Sequence, residues 1–386
     1  MYSIKREIYL NKEQKELYFK TKNVCRFLYN KMISINQSIY KESGLFIDSY
    51  SFSKFVNNHL RKGILAYKYE FLGEVPKDSK QKALRNCEIA FKDFFSKKKG
   101  FPKFKSKKND NTGVYLCKNN KTDFTKVYRN KIKIPSFGFV YLKQFGKLDL
   151  SKVKSCTITD KNDRFYISFL IDDENKIPFE KATNTSIGID LGIKDFAVLS
   201  NNKSFKGISK IQKIKKLERR RKRLQRKSSR QYRLNNKSRS KNYVKTQKKI
   251  NLTYERSKNV INGYFNKILN TLAIAKPYRV VVEDLNVRGM VKNKKLSKKI
   301  QESSFRAFLT KLKNFCNKRD IEFVKADRFY PSTQTCSNCG NVLQGKNKLT
   351  LADRIYHCKE CGLEIDRDLN ASINLSKYKE NTDKLI

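Results

Sequence analysis

The chain has 386 residues, 38% of them hydrophobic and 32% charged, which is material for two or three compact domains. Lysine and arginine number 87 against 36 aspartates and glutamates, a formal charge of +51 that internal ion pairs cannot neutralise, so a polyanionic partner is expected. No run approaches the roughly 18 apolar residues of a spanning helix and Met1–Leu10 has no signal-peptide core, so the expectation is a soluble intracellular protein.

From the N-terminus, Tyr2, Ile4, Ile8 and Leu10 alternate with charged residues and run into Asn11-Lys-Glu-Gln14, which predicts a strand followed by a helix capped by Asn11. To about Ser96 the apolar residues keep helical spacing, as in Val24, Phe27, Leu28 and Met32 and again in Leu84, Cys87, Ala90, Phe91 and Phe94, predicting a helical domain. Gly100-Phe-Pro-Lys-Phe-Lys-Ser-Lys107 breaks the helices. Lys131–Pro135, Phe137–Leu142, Val153–Thr159 and Arg164–Ile171 then read as strands, the last two joined by a turn at Asp160-Lys-Asn-Asp163. The expectation is a small β-barrel split in sequence, with one strand before the helical insert and the rest after it.

Residues 173–185 read as a polar linker. Ile187–Asp190 and Phe196–Leu199 then predict a strand pair, and Tyr278–Glu283 and Ile321–Lys325 further strands, with long helical stretches between them. That alternation points to an α/β or mixed-sheet domain. Inside it, 21 of the 48 residues from Lys203 to Ile250 are lysine or arginine, Glu218 is the sole acid, and Ile211, Ile214, Leu217 and Leu224 form a sparse helical seam. A solvated charged helix is the plainer reading. The run's place inside the domain, between two candidate catalytic acids, favours a nucleic-acid-facing helix pair, with Arg219, Arg220, Arg221, Lys222, Arg223, Arg226 and Lys227 as its densest cluster.

Of nine cysteines, four form two Cys-x-x-Cys pairs, Cys336 with Cys339 and, after 18 intervening residues, Cys358 with Cys361; Gly340 and Gly362 follow the pairs. Four thiolates fill a tetrahedral zinc site and leave no open position, so a structural zinc ribbon is expected. Cys25, Cys87, Cys117, Cys156 and Cys316 stand singly and are expected as buried small hydrophobes in a reducing compartment.

A polyanion cutter needs an activated water and a stabilised leaving oxygen, which two divalent ions roughly 3.5 to 4 Å apart supply. Carboxylates suit magnesium or manganese, and with only His59 and His357 in the chain a histidine-based site is excluded. Asp190 ends an apolar strand and precedes Leu191-Gly192, where the small glycine admits a backbone or phosphate; Glu283 ends Val280-Val-Val. Asp368 opens Asp368-Leu-Asn-Ala-Ser-Ile-Asn374, where it reads equally as a helix N-cap, and Asp366 competes for the ligand role. These three acids are the candidate magnesium ligands of a nuclease.

These residues resemble the TnpB family, transposon-encoded RNA-guided nucleases related to type V CRISPR effectors and to eukaryotic Fanzor proteins. The resemblance rests on Gly188-Ile-Asp190-Leu-Gly192, Val282-Glu283-Asp-Leu285, Tyr330-Pro-Ser-Thr-Gln-Thr-Cys336 with its cysteine pairs, and Cys361-Gly through Asp366-Arg-Asp368-Leu-Asn370-Ala371. Cys25-Arg-Phe-Leu-Tyr-Asn30 and Gly100-Phe-Pro-Lys-Phe-Lys105 extend it over nearly the whole chain.

It implies an α+β multidomain fold: a wedge barrel over 1–10 and 101–175, a helical recognition domain over 11–100, an RNase H-like RuvC nuclease domain over 176–330 and 366–386, and a zinc-ribbon insertion over 331–365 that binds target nucleic acid. It also implies catalytic Asp190, Glu283 and Asp368, a guide RNA, a double-stranded DNA target beside a short flanking motif, and one protein chain per guide RNA. No membrane partner is expected, and the expected setting is a prokaryotic cytoplasm, on the nucleoid when engaged with target. The chain lacks tryptophan, where relatives often carry one before a helix that begins here near Phe305; Phe305 is expected to fill that packing role. A compact type V effector and a transposase or transposase accessory protein share the acids, whereas a silent RNA-guided repressor would have lost some of them.

Overall fold

The structure, a computed structural model, describes residues 1–60, 62, 66–109, 112–118, 124, 127–144, 149–172, 179, 180, 182–293, 297–350 and 352–379. Of the expected linker, 173–178 and 181 lie outside the described residues, as do 380–386 of the expected nuclease domain. The chain divides into two units, 1–174 and 175–386.

The first unit opens with β1 (Tyr2–Tyr9) and α1 (Lys12–Ser43). Asn11 caps α1 as expected: its side chain accepts from the Gln14 N–H at 2.8 Å while the Gln14 side chain accepts from the Asn11 N–H at 3.0 Å. Helices α2 (Ser49–Phe55) and α3 (Lys77–Phe95) follow, separated by a π-helical turn and a 3-10 segment. Val24, Leu28, Met32, Leu84, Cys87 and Phe91 meet in their core with Phe52 and Leu72.

Strands β2 (Val114–Cys117), β3 (Val127–Tyr128), β4 (Lys131–Ile134), β5 (Gly138–Leu142), β6 (Val153–Lys161) and β7 (Arg164–Ile171) complete the unit. They join β1 in one seven-stranded antiparallel sheet of order β2-β6-β7-β1-β5-β4-β3, so the first strand lies inside the sheet, paired with β7 and β5. The β6–β7 turn is tighter than predicted: Lys161 pairs with Arg164, and only Asn162 and Asp163 turn, at φ 54° and 62°. Both centres at positive φ make the hairpin form that asparagine and aspartate favour. β2 and β3 escape sequence reading because four and two residues are too few to show an alternation. Cys25, Cys87, Cys156 and Cys316 are buried as expected, while Cys117 on edge strand β2 is only half-buried.

The second unit holds β8 (Ala182–Asp190), β9 (Asp195–Leu199), β10 (Lys203–Lys206), α4 (Gln212–Leu234), α5 (Lys241–Ala275) and β11 (Pro277–Glu283). After them come α6 (Val287–Val291), α7 (Ser297–Ser303), α8 (Phe305–Arg319), β12 (Glu322–Ala326), β13 (Ile355–His357), β14 (Glu364–Asp366) and α9 (Arg367–Ser376). Residues 182–185 thus belong to β8 and not to the linker, and 203–206 form an edge strand hidden in the lysine run. The sheet is mixed, of order β10-β9-β8-β11-β12, with β8, β11 and β12 parallel and the other pairs antiparallel.

β11 is apolar on both faces because both are covered. Val280 and Val282 pack with Phe265 and Leu272 of α5 and Phe308 and Leu312 of α8, and Val281 with Val324 and Leu375 on the opposite side. Phe305 is 1% exposed and stacks on Phe196 at 5.6 Å, the packing role expected for it. Among the described residues no helix is long and apolar enough to cross a membrane.

Candidate active site

Parallel strands β8 and β11 pair with Ile189 opposite Val282. The next residues, Asp190 and Glu283, therefore end side by side at the carboxyl edge of the sheet, where open α/β sheets bind ligands. Helix α9 brings the third acid. An added Cβ at Gly188 would lie 2.0 Å from the Ser372 carbonyl oxygen and 2.4 Å from the Ser376 nitrogen, so α9 rests directly on the β8 backbone. Asp368, one turn before Ser372, thereby reaches Asp190 closely enough for its charge to be felt. Sequence reading gave the close-approach role to Gly192, whose neighbour is only the Asp195 carbonyl of the adjoining turn; the glycine that matters for α9 is Gly188.

Asp366 and Asp368 separate by role. The Asp366 side chain accepts from the Asp368 and Leu369 N–H groups at 2.9 and 3.0 Å and is the N-cap. Asp368 is half-buried and takes the Arg367 guanidinium at 3.2 and 3.3 Å. Arg367, which sequence reading missed as a functional residue, also donates to the Thr350 carbonyl at 3.0 Å.

Burial pushes Asp190 up to about 7, Asp368 and then Glu283 adding to the rise, with Arg367 pulling the other way. Glu283 is also raised, by burial and then by Asp284, whose own carboxylate is held low by Arg328 at 2.8 Å and Lys325 at 3.2 Å. Acids crowded until one keeps its proton form a site short of positive charge. Because the folded value of Asp190 lies above its ordinary 3.8, the folded state binds the proton more tightly. The stability this group contributes therefore falls as pH rises from about 4 to about 7. Asp190→Asn should raise the thermal midpoint of metal-free protein at pH 8, by roughly 4 °C, and leave it unchanged at pH 4. Equal midpoints at pH 8 would show that the crowding is relieved some other way.

The four cysteines come together as a second cluster, their sulfurs all within 4.8 Å of one another. Cys336 and Cys361 lie 3.6 Å apart and Cys339 and Cys358 3.5 Å, near the edge of about 3.8 Å that follows from tetrahedral metal–sulfur bonds of about 2.3 Å. The knuckles repeat one geometry: Gly340 and Gly362 take φ of 79° and 72° and donate to the carbonyls of Cys336 and Cys358 at 3.0 and 2.9 Å. Tyr356 and Leu343 are the small core beside them.

The basic run forms α4 and the start of α5, packed as a hairpin. Ile214, Leu217, Arg221, Leu224 and Ser228 recur at helical spacing on the inner face, where the Ser228 hydroxyl accepts from Gln247 at 2.5 Å and Arg221 lies 4.5 Å over the Tyr254 ring. Arg219, Arg220, Lys222, Arg223, Arg226 and Lys227 face solvent. Glu218, the lone acid, pairs with Lys298 at 3.1 Å and Lys222 at 3.6 Å.

Three family models match parts of the chain: a helix-turn-helix domain over 2–44, a family described as "Probable transposase" over 168–294, and a "Cas12f1-like, TNB domain" over 305–375. Residues 2–44 fold here as β1 and one uninterrupted helix. A Streptomyces pristinaespiralis protein named "Putative RNA-guided DNA endonuclease" is 30% identical over 316 residues, 79% of this chain and 72% of that one. The Escherichia coli K12 protein "Putative RNA-guided DNA endonuclease InsQ" is 26% identical over 276 residues, 70% of this chain and 62% of its own. "TnpB-like protein L770" of Acanthamoeba polyphaga mimivirus is 30% identical over 278 residues, 64% of this chain and half of that one. The solved "Cas12f1-sgRNA-target DNA complex" superposes with a TM-score of 0.58 at 16% identity, covering 95% of this chain and 83% of that one, a likeness of fold.

Proposed function

This chain belongs to the TnpB family of transposon-encoded RNA-guided DNA endonucleases, and from that premise we propose that Asp190, Glu283 and Asp368 hold the magnesium or manganese ions with which it cuts DNA. The observation that carries the reading is the meeting of three acids at one sheet edge, Asp190 and Glu283 on adjacent parallel strands and Asp368 on the helix seated on Gly188, and the rise of the Asp190 carboxyl agrees with it. Divalent ions bound there supply an activated water and stabilise the leaving oxygen. The chain's own contribution is to gather the carboxylates, keep the site partly dry, and hold phosphates on its basic surface. Retention of all three acids speaks against a silent repressor.

The sheet order β10-β9-β8-β11-β12 supports an RNase H-like, RuvC-type nuclease domain over 176–330 and 366–386, with the ribbon over 331–365 inserted. The seven-stranded sheet, with its first strand drawn from before the helices, supports the wedge barrel over 1–10 and 101–175, and α1 to α3 the recognition domain over 11–100. Between these helices and β2 a cleft of about 520 Å³ is lined by Lys54, Lys77, Lys82 and Arg85, one acid, Asp78, and Gln81 and Tyr115. Cations for phosphates around polar groups for base edges suit the duplex beside the target. One chain acts with one guide RNA, in a prokaryotic cytoplasm.

Two experiments test this. RNA sequenced from the purified protein should be a discrete guide-bearing species, and the loaded protein should cut matching duplex DNA only with divalent metal; heterogeneous RNA and no cutting would overturn the reading. The cysteine cluster is assigned zinc, so about one equivalent per chain is expected. Cys336→Ser or Cys358→Ser should lose it and lower the stability of 331–365, since binding energy there is folding energy. Zinc-free protein with the ribbon intact would refute the assignment.

A further inference from the structure

Helix α9 carries Asp368 and has ten residues, too few to persist alone in water. It is held from two sides. Ser372, Leu375 and Ser376 rest on β8 at Gly188. Asn370, Asn374 and Lys377, spaced i, i+4, i+7, form another stripe. Asn370, fully buried, accepts from the Ser337 N–H at 2.9 Å and donates to the Thr335 carbonyl at 2.7 Å. Asn374, 3% exposed, donates to the Ser332 and Thr335 carbonyls at 2.8 and 2.6 Å, and Lys377 donates to the Ser337 carbonyl at 2.5 Å.

Every partner of these three side chains falls between 332 and 337, the segment that delivers Cys336 to the thiolate cluster. A buried amide left unpaired is costly, so α9 keeps its place only while those carbonyls keep theirs. The ribbon's own core is Leu343, Tyr356 and two cysteines, with only Leu349, Leu363 and Ile365 packed at its edge, and a core that small depends on metal. Arg367 adds a tether, joining Asp368 to Thr350 of the ribbon.

We propose that Asn370 and Asn374 are positioning residues that convert folding of the metal-bound ribbon into placement of Asp368, so that a filled cysteine site is a condition for a complete acid cluster. This rests on the reading of Asp368 as a metal ligand. The two metal sites would then be coupled through one short helix.

The test uses full-length guide-loaded protein. Amide hydrogen exchange across 366–376 should rise at least about tenfold when zinc is chelated, because α9 loses one of its two supports. The Asn370→Ala/Asn374→Ala variant should show the same rise while retaining its zinc and its target affinity. Its half-saturating magnesium concentration for cleavage should increase by about 10- to 100-fold, the scale for groups that orient a metal ligand. Asn370→Asp keeps the acceptor for Ser337 but sets a carboxylate oxygen against the Thr335 carbonyl, and Asn374→Asp sets one against two carbonyls, so neither should rescue placement and Asn374→Asp should be worse than Asn374→Ala. Exchange that ignores zinc, or a double variant with wild-type magnesium dependence, would overturn the proposal. Cleavage that survives Asp368→Ala would instead overturn the ligand reading, and the exchange measurements would still decide the coupling.

Discussion

Alanine at Asp190, Glu283 or Asp368 should slow DNA cleavage by on the order of 10³-fold or more, at least the scale set by removing one preorganised electrostatic group from an active site. Target binding by the loaded protein should change by less than about twofold, since carboxylates repel the phosphates that bind elsewhere. Asp190 and Glu283 end β8 and β11, which their parallel ladder sets side by side, and Asp368 opens α9, which rests on β8 at Gly188. Asp366→Ala is the internal control. It removes a helix cap worth about 1 kcal/mol and should leave most cleavage at moderate temperature. Cleavage lost with Asp366→Ala and kept with Asp368→Ala would reverse the assignment of the third ligand.

Neutralising the solvent face of α4 should give the second large effect. Replacing Arg219, Arg220, Arg223, Arg226 and Lys227 with glutamine is expected to weaken RNA and heteroduplex binding with little dependence on sequence. For every phosphate that the variant no longer neutralises, the plot of log affinity against log salt should flatten by roughly 0.7 to 0.9. Arg221 belongs to a different class, because its guanidinium lies over Tyr254 between the two helices. Arg221→Gln should therefore loosen the α4–α5 hairpin by about 0.5 to 1 kcal/mol and leave the salt slope alone. A salt titration of wild type and the two variants on one guide and target separates these outcomes. An unchanged slope in the fivefold variant would place the helix off the nucleic-acid path.

Much of this was legible in the residue order. Period-two alternation marked β1, β6 and β7, helical spacing marked α1 and α3, and the Asn11 cap was visible from Gln14 three residues on. The paired Cys-x-x-Cys spacing marked the thiolate cluster, because knuckle geometry is local and each glycine follows its own turn. The inner stripe of α4 was half legible: Ile214, Leu217 and Leu224 set its phase, and Arg221 and Ser228 fall on it by arithmetic alone. Edge strand β10 was not, since a strand covered on one face needs only one apolar residue, Phe205, and the lysines around it hid the alternation.

By itself, then, the sequence determined most of the elements, the charge and the types of ligand, all of which depend on neighbours a few residues away. Tertiary structure decided which acids meet. Asp190 and Glu283 become neighbours only through the β8–β11 register, and Asp366 and Asp368 are equivalent as letters until α9 assigns one to its own backbone and turns the other toward Asp190. Gly188, Arg367, Asn370 and Asn374 carry no local signal of their roles. What each does depends on a backbone that folding brings against it from far along the chain: α9 on Gly188, the ribbon on the arginine and the two asparagines.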